Sequence, residues 1–228
     1  MKRLLIICAL CLGFSCNASL GATELNPTVV CWLNAQTNIH SWSADFLQTR
    51  KFKSLTNPLT EKGHVWFAAP NRFHWELGDP VQTIAVRGSN DLLVIYPRLK
   101  RVERFSLSGQ QAGPWKEALA LLEAGFPRNA EELQRQYNIL EQTVQDSKGR
   151  LVLQPKSTAA RRMMPQMAIE FDAKSSSLLS TQLQFADGSS LRNDFSNATL
   201  NPAIDAEKFS PPIPSDFQTV EPLKSNRS

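Results

Sequence analysis

The chain has 228 residues, 42% of them hydrophobic and 20% charged, and a formal charge of +4. That suffices for one domain with a sizeable core, and it is not the composition of a disordered chain. So even a balance excludes a strongly basic nucleic-acid or membrane-surface protein.

Residues 1–22 read as a secretory signal: Lys2 and Arg3 open it, an apolar run fills 4–14, and small residues follow to Ala22. The run is too short to span a bilayer, and no later stretch comes close. Cleavage after Gly21 or Ala22 would leave a soluble exported domain, residues 23–228, of charge +2 (4 − 2, for Lys2 and Arg3). Lipid modification at Cys16 is the alternative ending, but Gly13 stands where such signals usually carry leucine, so soluble export is expected. Cys8, Cys11 and Cys16 leave with the signal. Cys31 remains alone, which leaves no internal disulfide or cysteine metal site, and it reads as a small buried apolar residue.

Asn26 and Pro27 open a short helix with an apolar stripe of Val29, Val30 and Leu33. Next, Trp42, Ala44 and Phe46 alternate with Ser43 and Asp45 as a half-buried strand. The stretch from Gly63 to Pro80, GHVWFAAPNRFHWELGDP, reads as a hairpin with its turn at Pro70 and Asn71. In its second strand Phe73, Trp75 and Leu77 form a greasy face, and His74 and Glu76 a wet one, so His74 is expected to be solvated. With Trp66 and Phe67 this is more apolar bulk than a hairpin needs. Something large and oily should lie against it.

Further strands are expected at 82–87, 91–96 and 101–107. Helical spacing follows at 114–124, and a second helical piece capped by Asn129 at 130–137. Strand pattern resumes at 139–145, 150–155, 166–172, 178–186 and 190–196, with Leu179, Leu183 and Phe185 sharing a face. The tail, with prolines at 202, 211, 212, 214 and 222, should wrap the outside irregularly.

The pattern predicts a mainly β fold with a helical lid (α+β). It is a single half-open, strongly curved antiparallel sheet, an incomplete barrel of about eleven strands, under about three short helices. Eleven strands at about 4.8 Å span about 50 Å, whereas three helices of about 10 Å cover about 30 Å. Either the sheet closes and fills with side chains, or it keeps a hollow for a ligand.

Catalytic chemistry is not evident. His40, His64 and His74 lack metal-pair spacing, and there is no nucleophile elbow, phosphate loop or dinucleotide fingerprint. Acids such as Asp45, Glu61 and Asp79 could pair in space, which a sequence does not reveal. No enzyme, cofactor or metal is expected. The segment 158–167 gathers Met163, Met164 and Met167 beside Arg161 and Arg162. It is either an adaptable lid or mouth near headgroups, or a hairpin loop whose methionines tuck into the core.

Trp-Ser-Ala-Asp-Phe-Leu-Gln at 42–48 and the Gly-x-x-Trp-x-x-x-Pro-x-x-Phe-x-Trp pattern at 63–75 make the chain resemble the LolA family of periplasmic lipoprotein carriers. Asp79-Pro80, Tyr96-Pro97, the LVLQPK run at 151–156 and Ile204-Asp205-Ala206-Glu207-Lys208-Phe209 extend the resemblance over nearly the whole mature chain. The resemblance implies a half-barrel whose cavity shields lipoprotein acyl chains in the periplasm. The donor would be an inner-membrane ABC exporter and the acceptor an outer-membrane protein, the carrier being a monomer that binds no nucleic acid. A carrier of another acylated lipid or glycolipid, or an RseB-like envelope sensor, are the alternatives. Enterobacterial-type members place an arginine latch just before the hairpin proline. Here Ala69 stands there, and Arg72 is the candidate substitute at the lid.

The expected cavity lining is Trp42, Phe46, Trp66, Phe73, Trp75, Ile84, Val94, Met164, Ile169, Leu183 and Phe185, with the inward face at 64–68 and 92–96 open because both faces there are partly apolar.

Overall fold

The computed structural model describes residues 24–88, 90–107 and 129–221. The expected signal, with Cys8, Cys11 and Cys16, and the expected helix at 114–124 lie outside them.

Helix α1 (Pro27–Gln36) starts as its sequence indicates, the Asn26 side chain accepting from the Thr28 N–H at 2.9 Å. Strands β1 (Ser41–Lys51), β2 (Leu59–Ala68), β3 (Arg72–Leu77), β4 (Thr83–Arg87), β5 (Asp91–Tyr96) and β6 (Arg101–Ser106) follow as a meander. Helix α2 (Ala130–Gln136) is capped by Asn129, with Glu131 and Glu132 in the first turn, where the helix dipole favours acids. Strands β7 (Tyr137–Gln145) and β8 (Lys148–Pro155), helix α3 (Thr158–Met163), and strands β9 (Gln166–Asp172), β10 (Ser177–Gln184) and β11 (Ser190–Leu200) come next. A short β12 (Gln218–Val220) ends the series.

All twelve strands form one open sheet in the order β12-β6-β5-β4-β3-β2-β1-β11-β10-β9-β8-β7. Two expectations need correction. Among the described residues the strands number twelve and the sheet is mixed, because β12 joins β6 in parallel; three residues among prolines carry too little alternation to be read. The segment at 158–167 is helical over Thr158–Met163, with Ser157 as its N-cap, and enters β9 at Gln166, rather than forming a loop.

The inner face carries the core. Trp42, Ala44 and Phe46 of β1 share it with Val65 and Phe67 of β2, Phe73 and Leu77 of β3, Leu151 and Leu153 of β8, and Met167, Ile169 and Phe171 of β9. Helix α1 lays Val29, Trp32 and Leu33 onto it, so Trp32 takes the place expected for Val30 in the apolar stripe. Trp32 stacks on Phe171 with ring centroids 4.3 Å apart and planes 17° apart. Cys31, on the other side of α1, is exposed rather than buried.

Two glycines let aromatic rings lie flat across neighbouring strands. A Cβ at Gly149 would sit 2.1 Å from Phe171 Cζ, and one at Gly63 would sit 2.2 Å from Phe46 Cζ. A ring covering a cross-strand glycine buries itself and the bare backbone together. A bulge between Leu178 and Ser180 shifts the alternation of β10, so Leu178, not Leu179, opposes Phe171 inside.

The outer face has two halves. Over β3–β6 it is covered by the tail: Ile84, Ile95 and Val102 face Pro211, Pro212, Ile213, Pro214 and Phe217. Over β8–β11 it is a polar lattice in which Arg192 grips Glu170 through two nitrogens, at 2.9 and 3.3 Å, and Ser180 donates to the same carboxylate at 2.8 Å. The Arg192 hydrogen bonds, then that from Ser180, hold the Glu170 carboxyl below its usual range, against the opposite pull of burial. A depressed carboxyl stabilises the fold above its unfolded pKa of about 4.3, and that stability is lost as pH falls through the lower folded value. Glu170→Gln is therefore expected to cost about 1 kcal/mol at pH 7, and progressively less as pH falls below the usual carboxylate range and through the lowered pKa of the folded chain. Urea melts of both chains across that pH range check this.

Candidate functional site

A hollow of about 170 Å³ remains on the inner face, lined by Gln48, Val65, Phe67, Asn71, Phe73, Trp75, Ala85, Leu183, Leu191 and Asn193. These side chains come from β1, β2, β3, β4, β10, β11 and the β2–β3 turn. Six neighbouring strands laid flat would set the outer pair about 24 Å apart at about 4.8 Å per strand, so one small hollow shared by all six requires a strongly curved sheet.

Its aromatic lining is Phe67, Phe73 and Trp75, and other inner-face rings pack behind Trp75. Phe46 and Trp75 lie 4.2 Å apart, and Phe195 meets Trp42, Phe46 and Trp75 edge-on at 5.1, 6.3 and 6.4 Å. One wall carries a polar ladder. Arg50 Nε donates to Gln48 Oε1 at 2.6 Å, Gln48 Nε2 to Asn193 Oδ1 at 3.0 Å, and Asn193 Nδ2 to Thr181 Oγ1 at 3.3 Å. Gln48 and Asn193 are 5% and 2% exposed, so these bonds meet the needs of amides that burial would otherwise penalise. Arg87 also projects from the inner face, opposite Phe73, and burial lowers the pKa of its guanidinium.

A second, larger hollow of about 350 Å³ adjoins the first at Phe67, which lines both. Its other walls are Gln36, Thr37, Ile39, His40, Ala69 and Asn129. An apolar cavity of about 150 Å³ holds one benzene, so the first hollow has room for about six carbons of a chain, and a longer chain must continue past Phe67.

Of the residues expected from sequence, Phe73, Trp75 and Leu183 line the first hollow. Trp42, Phe46, Val94 and Phe185 pack on the same inner face. Met164, Met167 and Ile169 are fully buried core residues, so Met167 does not sit at a mouth. Met163 is 46% exposed on α3, beside half-buried Arg161 and exposed Arg162.

Two lining expectations are corrected. Trp66 points outward, its ring 4.1 Å from His64 and under the Lys208 ammonium. Ile84 points outward beneath the proline tail. Arg72 is corrected as well: it lies over the Phe209 ring on the outer face, at 5.0 Å, and cannot latch an inner lid from there. His74, expected in solvent, is 4% exposed, its Nδ1 2.6 Å from the Lys208 carbonyl oxygen and its Nε2 2.9 Å from Glu76 Oε1. The tail's 3-10 turn (Ala206–Phe209) closes over a face that alternation alone marks as wet. Val65, Phe67, Ala85 and Leu191 are lining residues that the sequence reading does not pick out. Gln48 is another, although continuing the β1 alternation two residues past Phe46 points to it.

An open sheet whose partly roofed inner face holds a mostly apolar hollow, with Gln48, Asn71 and Asn193 as its polar lining, is a site of the class that takes an apolar ligand. The family model "Outer membrane lipoprotein carrier protein LolA" matches residues 37–212, and the chain belongs to that family. It is 25% identical over 183 residues to an outer-membrane lipoprotein carrier protein of Chromohalobacter salexigens, covering 80% of this chain and 81% of the relative. Among solved structures, it is similar to an uncharacterized conserved protein from Thermus thermophilus, with TM-score 0.50, 9% identity, and 85% and 97% of the two chains covered. A LolA superfamily protein from Nitrosomonas europaea aligns with TM-score 0.40, 12% identity, and 81% and 97% coverage.

Proposed function

We propose that this protein carries the acyl chains of a lipoprotein on its inner face and ferries them through the periplasm, from an inner-membrane ABC exporter to an outer-membrane acceptor. The observation that supports this reading is the apolar hollow lined by Phe67, Phe73 and Trp75, with a second hollow that shares Phe67 as a wall. A terminal segment of about six carbons fits the first hollow, and the rest of the chain runs past Phe67 under the end of α1. Each buried methylene contributes about 0.8 kcal/mol, so a bound chain is held firmly yet moves on to an acceptor that buries more of it. No local energy source is needed for that handover.

Ala69 lines the second hollow at the position of the family's arginine latch, and this favours a second reading, in which the cargo is a free acylated lipid. Native mass spectrometry of the protein isolated from its own periplasm separates the two. Co-purified acylated polypeptide supports the first, and free lipid alone supports the second. Protein that is empty and takes up no alkyl probe refutes both.

A further inference from the structure

On the outer face, at the border between the open lattice and the tail, three side chains line up in order. The Ser43 hydroxyl lies 2.7 Å from His64 Nε2, and His64 Nδ1 lies 2.6 Å from Asp45 Oδ1. Asp45 Oδ2 accepts from Asn197 Nδ2 at 2.8 Å. The β1–β2 register produces this arrangement, setting His64 opposite Asp45 and Trp66 opposite Ser43. The bulge between Ser43 and Asp45 and the left-handed Asn197, at φ 51°, bring the amide onto the carboxylate.

Each link has a chemical consequence. A carboxylate on Nδ1 keeps the proton there and orients the ring, which leaves Nε2 to accept from the serine O–H. Hydrogen bonds from Asn197 and then His64 hold the Asp45 carboxyl below its usual range. The Trp66 ring forms a flat apolar platform 4.1 Å from the imidazole. The Lys208 ammonium stands 4.0 Å above that ring and 3.5 Å from Glu76. Charged and titratable groups around His64 are thus Asp45 from β1 and, across Trp66, Lys208 from the tail with Glu76 and His74 from β3.

We propose that Ser43, His64 and Asp45 form a nucleophilic triad that accepts acyl groups from exposed carboxylic esters, a function separate from the inner-face hollow. Ser43 Oγ bonds to the ester carbonyl carbon while its proton passes to His64 Nε2. The carbonyl π electrons move to oxygen as an oxyanion. Collapse of that intermediate breaks the carbon–oxygen bond to the alcohol, which leaves with the proton from Nε2. Water then repeats the sequence on the acyl-serine and releases the acid. Ser43 and His64 are the catalytic residues, and Asp45 and Asn197 position the imidazole.

The full chain is treated with p-nitrophenyl acetate and, separately, with an alkyl fluorophosphonate, and the modified residue is mapped by mass spectrometry. The expected result is a burst of p-nitrophenolate and single labelling at Ser43 by both reagents, absent in Ser43→Ala. His64→Gln should slow labelling on the order of 100-fold, the usual contribution of a general base. Asp45→Asn should slow it less and shift the pH at which its rate is half-maximal, which loss of a merely structural hydrogen bond would not do. Labelling spread over several serines and lysines overturns the proposal. So does labelling of Ser43 at a rate unchanged in folded His64→Gln or Asp45→Asn. Uptake of alkyl chains inside is unaffected either way, so the carrier reading and this one fail separately.

Discussion

Phe171→Ala is expected to destabilise the protein by about 3–5 kcal/mol, the range for emptying a fully buried aromatic site. The ring is 0% exposed, stacks on Trp32 and fills the space above Gly149, so its loss leaves a void that neither a helix nor a strand backbone can close. Gly149→Ala attacks the same contact from the other side. Its new Cβ would stand 2.1 Å from Phe171 Cζ, and overpacking of that kind costs about 1–3 kcal/mol. The two changes share one contact and should not add: in a Phe171→Ala background the extra methyl has room, and the double variant should be no less stable than Phe171→Ala alone. Urea denaturation of the four chains measures the coupling. Additive losses would mean that the ring and the glycine are not the matched pair the geometry describes.

That pair also shows where reading the sequence succeeds and where it stops. Met167, Ile169 and Phe171 alternate with Ala168 and Glu170, and the ion-paired Glu170 marks the outer side of β9, so a period of two survives in the residues even though Ala168 is buried against Val152. Trp66 and Ile84 sit in strands whose outer face is buried too, under a tail more than a hundred residues away in sequence. Where both faces are covered alternation disappears, and the inward set cannot be chosen without knowing what covers the other side. His74 reads as solvated for the same reason, and the bulge at Leu178 flips parity within β10 with no residue signature to announce it. The triad-like array needs a register as well as a pattern: Ser43 and Asp45 are visible neighbours on β1, but His64 comes to them only through strand pairing.

Ala85→Trp should abolish uptake of a medium-chain alkyl ligand with little change in stability. Ala85 is half-buried at the wall of the first hollow, paired with Trp75 on one side and Val94 on the other. An indole is larger than the benzene that fills about 150 Å³, so it occupies the hollow of about 170 Å³ outright. Burying that ring contributes about 1.5–3 kcal/mol, and crowding costs about 1–3 kcal/mol, so the two offset and the melting temperature should move little. For the ligand nothing offsets the change. About six methylenes lose their place at about 0.8 kcal/mol each, which is about 5 kcal/mol at most and an affinity loss of roughly 100- to 1000-fold after partial relaxation. Displacement of a fluorescent fatty acid, read alongside thermal melts, tests both halves. If the chain instead enters only the larger hollow beneath α1, Ala85→Trp will bind like wild type, whereas Ala69→Trp, which fills that second space, will not.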